Sequence, residues 1–502
     1  MNRFSKKYFY YHLLVNLILP LILFLSSFEV MPTDEAENIL FDRRIALIFL
    51  FIGIGVYLVS VAYSYLYYRT SGYEIREDGI TCTRGVLFKK KSFLEYRKIH
   101  TSNKRRGLIQ QMFGLAYLLV DSGSTNTAFS AEVMIIETSE KVDALMEEIK
   151  ARQNSSDPSV VAKPAPEEQE NLYIFTSGKK GMYSLLNLLR VVILTGIVVI
   201  FAAVLIGVIG NAAKDFAASE GEFAEILAGI FIAAGTSAMV VAVCSFVQPF
   251  LAYYRFRIFK KGEDIEIDYG LFVKNANTFQ IRRIKAVRIH QGLLMRLFGY
   301  VSVHLEVIGY GAENGDNANK GTSDSPFLPL CKASEAEMHI RKILPEYVPL
   351  KRERKAKSYF ALVAWPLLLF NLPLFLTGAV PFAICLALNE SVALAIFVAI
   401  FVGLSVLASA WILIDAALKY RYESFCVEGD KITIRHGGFF RTCLVLLRKN
   451  IIAVEDITTP MRKKRGIASY VIHFRGNAMR NRAVVEILDE RDREALLNLL
   501  TD

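Results

Sequence analysis

Long apolar runs alternate along this chain with polar stretches whose hydrophobic residues recur every second position or at helical spacing. The apolar runs lie at about Leu13–Phe28 and Ile45–Tyr67, Leu185–Gly210 and Ala224–Leu251, and Tyr359–Ala417. Uninterrupted apolar runs of roughly 18 or more residues predict membrane helices. The last run is too long for one span, and Asn389-Glu390-Ser391 is the natural place for it to turn. Three helical hairpins, and hence six spans, are expected. Tyr63, Tyr65, Tyr67 and Tyr68 at the end of the second run fit an interfacial aromatic belt. Pro366, Pro373 and Pro381 predict a kinked first arm in the third hairpin.

The polar stretches repeat one another. Gly85, Gly270 and Gly437 each open a copy, and Gly114, Gly299 and Gly466 close it at the same spacing. An isoleucine precedes each opening glycine at a fixed distance (Ile80, Ile265, Ile432), and a second follows it (Ile99, Ile284, Ile451). The first two copies end in Gly107-Leu108…Phe113-Gly114 and Gly292-Leu293…Phe298-Gly299. In the third, Thr459-Pro460 and Arg465 stand at those positions. Three matches in register predict a repeated module. Within each module, alternation such as Tyr73-Glu74-Ile75-Arg76 and the turn signal Asp78-Gly79 predict short strands. Val142, Leu145, Met146 and Ile149 share one face of a closing helix. Ser334–Leu344 predicts the second closing helix, and a helix capped by Asp489 and carrying Leu496, Leu497, Leu499 and Leu500 the third.

The predicted organisation is residues 1–69, N-terminus and first hairpin; 70–152, module 1; 153–183, a disordered linker rich in Ser, Pro and Glu; 184–253, second hairpin; 254–347, module 2; 348–418, a basic run and third hairpin; and 419–502, module 3. Strands followed by one amphipathic helix predict a small bent sheet or barrel plugged by that helix. The glycine corners are expected to be structural, with Leu293 and Phe298 in the core.

A membrane hairpin, glycine-turn strands, Arg-x-Ile, Gly-Leu-x-x-x-x-Phe-Gly and a terminal helix together resemble the second type of bacterial pleckstrin-homology domain. The whole chain resembles the multi-pass YdbT-type family carrying three such modules. The resemblance implies three seven-stranded bent barrels, each capped by a C-terminal helix, joined to six transmembrane helices. It implies no enzymatic activity and fixes no ligand.

Composition agrees with a membrane protein: 53% of residues are hydrophobic and 22% charged. The net charge of +10 is explained first by the enrichment of Lys and Arg in cytoplasmic segments. The basic residues crowd one side of every hairpin, Arg43 and Arg44 being the main exceptions. The N-terminus, read as a retained signal-anchor, and all three modules are therefore expected on the cytoplasmic side of a bacterial plasma membrane. The six cysteines form no C-x-x-C pair and are expected to be free thiols.

The same part of each module is basic. Lys89, Lys90, Lys91, Arg97 and Lys98 mark it in the first, Arg282, Arg283, Lys285 and Arg288 in the second, and Arg462, Lys463 and Lys464 in the third. These are the candidate contacts to an anionic surface, where each cation near a leaflet can contribute about 1 kcal/mol. No catalytic, metal or cofactor residues are expected. H-E-x-x-H, G-x-S-x-G and Walker A patterns are absent, and the seven histidines do not pair at ligand spacing, although His290 and His304 can face each other across strands. Expected partners are membrane lipids and a membrane or cytoplasmic protein, a smaller protein of the same family being one candidate; nucleic acid is not expected. The leading reading is a non-enzymatic scaffold in envelope maintenance or defence. The alternative is a transporter or pore regulated by its modules, for which Asn371, Arg190 and Asp415 are the ionisable or polar residues inside the spans.

Overall fold

A computed structural model describes residues 2–18, 36–86, 89–99, 101–121, 133–156, 170–213, 220–307, 325–351, 369, 392–457, 467–474 and 482–489. Two compact units divide the chain, one built chiefly from Met1–Tyr173 and Arg255–Arg283, the other from Ile174–Tyr254, Ile284–Val307 and Asp324–Asp502. The division between Arg283 and Ile284 falls inside the second repeated module, and the strand pairing explains why.

In the first unit, β1 (Asn2–Arg3), β2 (Gly72–Ile75), β3 (Gly79–Arg84) and β4 (Lys90–Glu95) form an antiparallel sheet in that order, with helices α1 (Lys6–Val15) and α2 (Ala36–Thr70) between β1 and β2. The hairpin is thus inserted after the module's first strand rather than placed ahead of the module. Then come β5 (Thr101–Arg106), the short α3 (Leu108–Met112), β6 (Leu115–Asp121), β7 (Val133–Thr138) and α4 (Ser139–Ser156). Seven strands and a helix result, as the resemblance implies for module 1. Ile80, Cys82, Leu118, Val120 and Ile135 interleave in a core with the expected α4 face, Val142, Leu145 and Ile149. The recurrent isoleucines are core anchors: Ile80, Ile265 and Ile432 are all buried.

The segment expected as a disordered linker holds the end of α4, a strand β8 (Glu170–Ile174) and the start of helix α5 (Ser177–Ala213). Alternation in Asn171-Leu172-Tyr173-Ile174-Phe175 buries Tyr173 and Phe175 and exposes Ile174. That short period is outweighed in the composition by the Ser and Pro upstream. Helix α6 (Glu220–Ala252) packs against α5. β9 (Arg257–Lys261), β10 (Asp264–Tyr269) and β11 (Lys274–Gln280) follow, and β8 pairs with β9. The second hairpin is therefore also inserted after its module's first strand.

β11 next joins the first module. The sheet order is β7-β6-β5-β11-β10-β9-β8, seven strands drawn from two modules. In the second unit the remainder of module 2 is β12 (Ile284–Gln291), α7 (Leu293–Leu297), β13 (Tyr300–Val307), β14 (Ser325–Lys332) and α8 (Ala333–Ile343). After helix α9 (Val392–Tyr422) come β15 (Ser424–Glu428), β16 (Lys431–His436) and β17 (Arg441–Leu447). β18 (Ile451–Ile457), β19 (Ile467–Phe474) and β20 (Arg482–Asp489) form a separate three-stranded sheet. Here β12 pairs with β17, giving the order β14-β13-β12-β17-β16-β15.

The two joints share one register. In the first, Arg106 faces Lys274 and Thr101 faces Phe279. Moving each strand on by one module turns these pairs into Gln291–Arg441 and Ala286–Leu446, and both are pairs of the second joint. Repeated modules that bury the same edge in the same way are the sequence-level repeat carried into tertiary structure.

Among the described residues there are four long helices: Ala36–Thr70, Ser177–Ala213, Glu220–Ala252 and Val392–Tyr422. Among the described residues, Phe51–Thr70 and Gly235–Ala252 are long and apolar enough to cross a membrane, and little of either is buried by protein. Most of the first predicted span and nearly all of the first arm of the third hairpin, with Asn371, lie outside the described residues, as do the turn at 389–391 and the third closing helix after Asp489.

The glycine corners divide into two kinds. Gly114 and Gly299 receive, on their carbonyls, the N–H of the first residue of α4 (Ser139) and of α8 (Ala333), so each seats a closing helix. Gly85, Gly270 and Gly437 have φ of 107°, 105° and 111°, a region that side-chain-bearing residues rarely enter. The expected core role of Leu293 and Phe298 is not realised. Leu293 is half-buried and Phe298 is 47% exposed. Among the described residues, Leu297 and Phe298 at the end of the five-residue α7 stay exposed.

Candidate functional site

The basic positions separate into exposed and structural residues. Lys89, Lys90 and Lys91 are exposed on and beside β4. Arg97 and Lys98 are exposed on the 3-10 turn Tyr96–Lys98, where Lys98 pairs with Glu95 at 3.0 Å. Arg282 is exposed on the equivalent turn Ile281–Arg283 and donates to the Gln280 Oε1 at 2.9 Å. The two turns are brought together in the first unit, because Arg283 donates to the carbonyl of Ile99. Arg97, Lys98 and Arg282 therefore share one basic corner.

Arg283, Lys285 and Arg288 serve the fold instead. Burial, and next the like charge of Arg282, pull the Arg283 guanidinium down to about 10. Asp264 lies close to it, its carboxyl pushed up by burial and held back by Lys150 and then Arg283. Arg288 donates to Glu306 Oε1 at 2.9 Å, and both side chains are largely removed from water. Lys285 is half-buried, and its carbonyl accepts from Asn450 Nδ2 at 2.9 Å. Arg288, neutralised by Glu306, has no charge to spare for a lipid headgroup, and the Arg283 guanidinium is turned inward onto the Ile99 carbonyl. Arg462, Lys463, Lys464 and Gly466 lie outside the described residues.

Contacts not signalled by the basic pattern tie the glycine turns to helix ends. Thr70 Oγ1, at the end of α2, donates to the Gly85 carbonyl at 2.8 Å. In the second unit Asp415 of α9 accepts from the Phe439 N–H at 2.9 Å and pairs with Lys419 at 3.4 Å, while Trp411 stacks on Phe439 with ring centroids 4.0 Å apart. Asp415, an ionisable residue near a span end, is thus a docking residue for the β16–β17 turn. The tips of two such turns carry exposed apolar side chains, Phe272 with Val273 and Phe440. Only the aromatic content of these turns could have signalled this.

A cleft of about 390 Å³ opens in the first unit beside Arg3, Tyr73, Glu137, Lys141 and Glu148. Glu137 is buried and lies 3.7 Å from Lys141. The Tyr73 hydroxyl is pushed up to about 12, by burial first and by Glu137 next. Its carboxylates, Glu137 and Glu148, are balanced by Arg3 and Lys141, so the cleft favours neither sign of ligand. His290 and His304 do approach across strands, with ring centroids 6.3 Å apart, but Thr442 Oγ1 lies 3.2 Å from His290 and Ser302 Oγ 3.3 Å from His304. Among the described residues no group of three His, Cys, Asp or Glu side chains is placed to hold a metal ion. Cys82, Cys331, Cys426 and Cys443 are buried free thiols and Cys244 is an exposed one.

Comparison with known proteins agrees with the three-module reading. The family model described as "Bacterial PH domain" matches residues 17–152, 188–346 and 368–502. The chain belongs to this family. The first two matches begin within the first apolar run of a hairpin and run through the module that follows, leaving strands β1 and β8 outside them. The UPF0699 transmembrane protein YdbT of Bacillus subtilis (strain 168) is 23% identical over 489 residues, which cover 96% of this chain and 93% of that protein. No solved structure matches the chain. The chain is a membrane protein of repeated PH-like modules, similar along almost its whole length to a transmembrane relative.

Proposed function

We propose that this protein is a non-enzymatic scaffold of the bacterial plasma membrane. It crosses the membrane six times and displays its three PH modules at the cytoplasmic face, where they contact anionic lipid and hold a protein partner. The carrying observation is the edge-to-edge joining of successive modules, which makes successive sheets continuous instead of leaving each module on its own tether. Within each unit the joint fixes part of one module against part of the next, a property of an assembly site. Lys89 beside the Gly85 turn, and the apolar turn tip at Phe272 with Lys274 next to it, lie at the helix-hairpin end of the first unit's strands and supply its leaflet contact, as Phe440 does in the second unit, whereas the corner Arg97, Lys98 and Arg282 lies at the opposite ends of β4 and β11. Lys and Arg at such a surface are drawn to anionic headgroups, and Phe tolerates the interface.

The test uses the full chain in lipid nanodiscs, with an environment-sensitive fluorophore on Phe272→Cys and Cys244 replaced by Ser. Emission is expected to shift to the blue more in anionic than in neutral discs. Lys89→Glu and Lys274→Glu together are expected to abolish that difference. Identical spectra in the two lipids before any charge reversal would refute the leaflet contact. Solute flux into proteoliposomes above that of empty vesicles would favour a transporter.

A further inference from the structure

The joints repeat twice, and the chain carries the two halves of a third. β4 is the counterpart of β11 and β17, and β18 is the counterpart of β5 and β12. Among the described residues β4 and β18 are edge strands, pairing only with β3 and β19 respectively. Their burial shows what the missing neighbour would cover. Phe93 of β4 is 50% exposed, whereas its equivalents Thr278 and Val445 are 5% and 0% exposed. Ala453 of β18 is exposed, whereas its equivalents Thr101 and Ala286 are buried. Ile452 and Ile457 are exposed as well. Unpaired edges with apolar side chains are templates for a further strand.

We propose that β18 of one copy of this protein pairs with β4 of a second copy, repeating the internal joint between molecules. The repeat fixes the register. Carrying the Thr101–Phe279 pair forward on one strand and back on the other gives Ala453 opposite Leu94, Glu455 opposite Ser92, and Ile457 opposite Lys90. Charge favours the match: β4 carries exposed Lys90 and Lys91, and β18 carries exposed Glu455, with Asp456 at the position facing Lys91. Opposite charges across an antiparallel pair stabilise it, and the same lysines oppose pairing of β4 with another β4. The two edges differ, so the contact is head-to-tail and continues until a ring closes or the supply of copies ends. The inference rests on the scaffold reading for its setting and on the joints for its geometry. It uses residues other than those of the leaflet assay, so the two can fail separately.

The test places Ser92→Cys on one tagged full-length chain and Glu455→Cys on a differently tagged one, both with Cys244→Ser, co-expressed and oxidised mildly in native membranes. Residues directly opposite in an antiparallel pair lie about 4.5–5.5 Å apart at Cα, within the roughly 4.4–6.8 Å that a disulfide spans. A linked species carrying both tags is expected. Lys90→Glu with Lys91→Glu is expected to reduce it several-fold. The internal equivalent, Asn103→Cys with Asn277→Cys in one chain, is expected to close and calibrates the yield. The proposal is overturned if the internal pair closes and the intermolecular pair does not. It is overturned equally if Ser92→Cys copies link to each other as readily, if Ser92→Cys is captured by a different protein, or if the internal pair itself stays open. Light scattering of the unsubstituted chain in detergent should show dimers or larger species, and a monomer at every concentration would contradict it.

Discussion

Glu306→Ala is expected to destabilise the second unit by about 3–5 kcal/mol, the cost of stranding one member of a buried ion pair. Glu306 is 2% exposed and its partner Arg288 only 13% at the side chain. No other carboxylate is recorded beside Arg288 among the described residues. Arg288 lies on β12 facing Leu444 of β17, so the stranded charge acts where modules 2 and 3 are joined. Thermal unfolding of the full chain in detergent, followed by labelling of the buried Cys443 thiol on β17, should show the loss. Arg288→Leu with Glu306→Leu should recover most of it, because a buried pair replaced by packed apolar side chains is often neutral. If Glu306→Ala leaves Cys443 protected to the wild-type temperature, the pair carries no such weight.

Gly437→Ala is the second large effect. A Cβ there would lie 1.9 Å from the Phe440 carbonyl oxygen, at φ +111°. No side-chain adjustment relieves a clash with backbone, so the turn has to open, at a cost of at least about 3 kcal/mol. The turn is also what seats Phe439 on Trp411 and Asp415, and a Cβ on the next residue, Gly438, would meet Asp415 at 2.2 Å. Opening it frees the β16–β17 edge from α9. Gly299→Ala provides the contrast. It also has positive φ, +71°, but meets nothing within 4 Å, so only the backbone preference is lost, about 1–2 kcal/mol. Comparing the two melting temperatures checks the pair of expectations. Equal losses would mean that backbone preference alone sets the cost at both.

The comparison of these glycines shows how far the sequence could be read. Their spacing disclosed a module, since a repeat in register is visible without knowing what any residue touches. The α4 face was legible from its helical period, whereas spacing marked Ile80, Ile265 and Ile432 as repeated and only their burial marks them as core. The joints were not legible. Asn103, Asn277 and Thr278 are buried there, yet Thr-Ser-Asn-Lys-Arg-Arg and Lys-Asn-Ala-Asn-Thr-Phe-Gln read as polar loops, because an edge partner far away in sequence leaves no local period. Arg283 and Arg288 were grouped with the surface cations on residue type. Composition cannot distinguish a cation held by Ile99 or Glu306 from one in water. Strands β1 and β8 were missed because their partners lie beyond a whole hairpin.

That last arrangement has a bearing on how the protein is made. Asn2–Arg3 pairs with Gly72–Tyr73, and β8 with β9, each across a helical hairpin. A ribosome delivers the first strand well before its partner, and the helices between them have to be placed first. Both feet of a hairpin have to return to one side for the strand to find its place. A failed insertion would therefore leave a module missing an edge, with exposed backbone for a protease to find. Helix placement and sheet closure become a single point of quality control, passed once for each hairpin inserted this way.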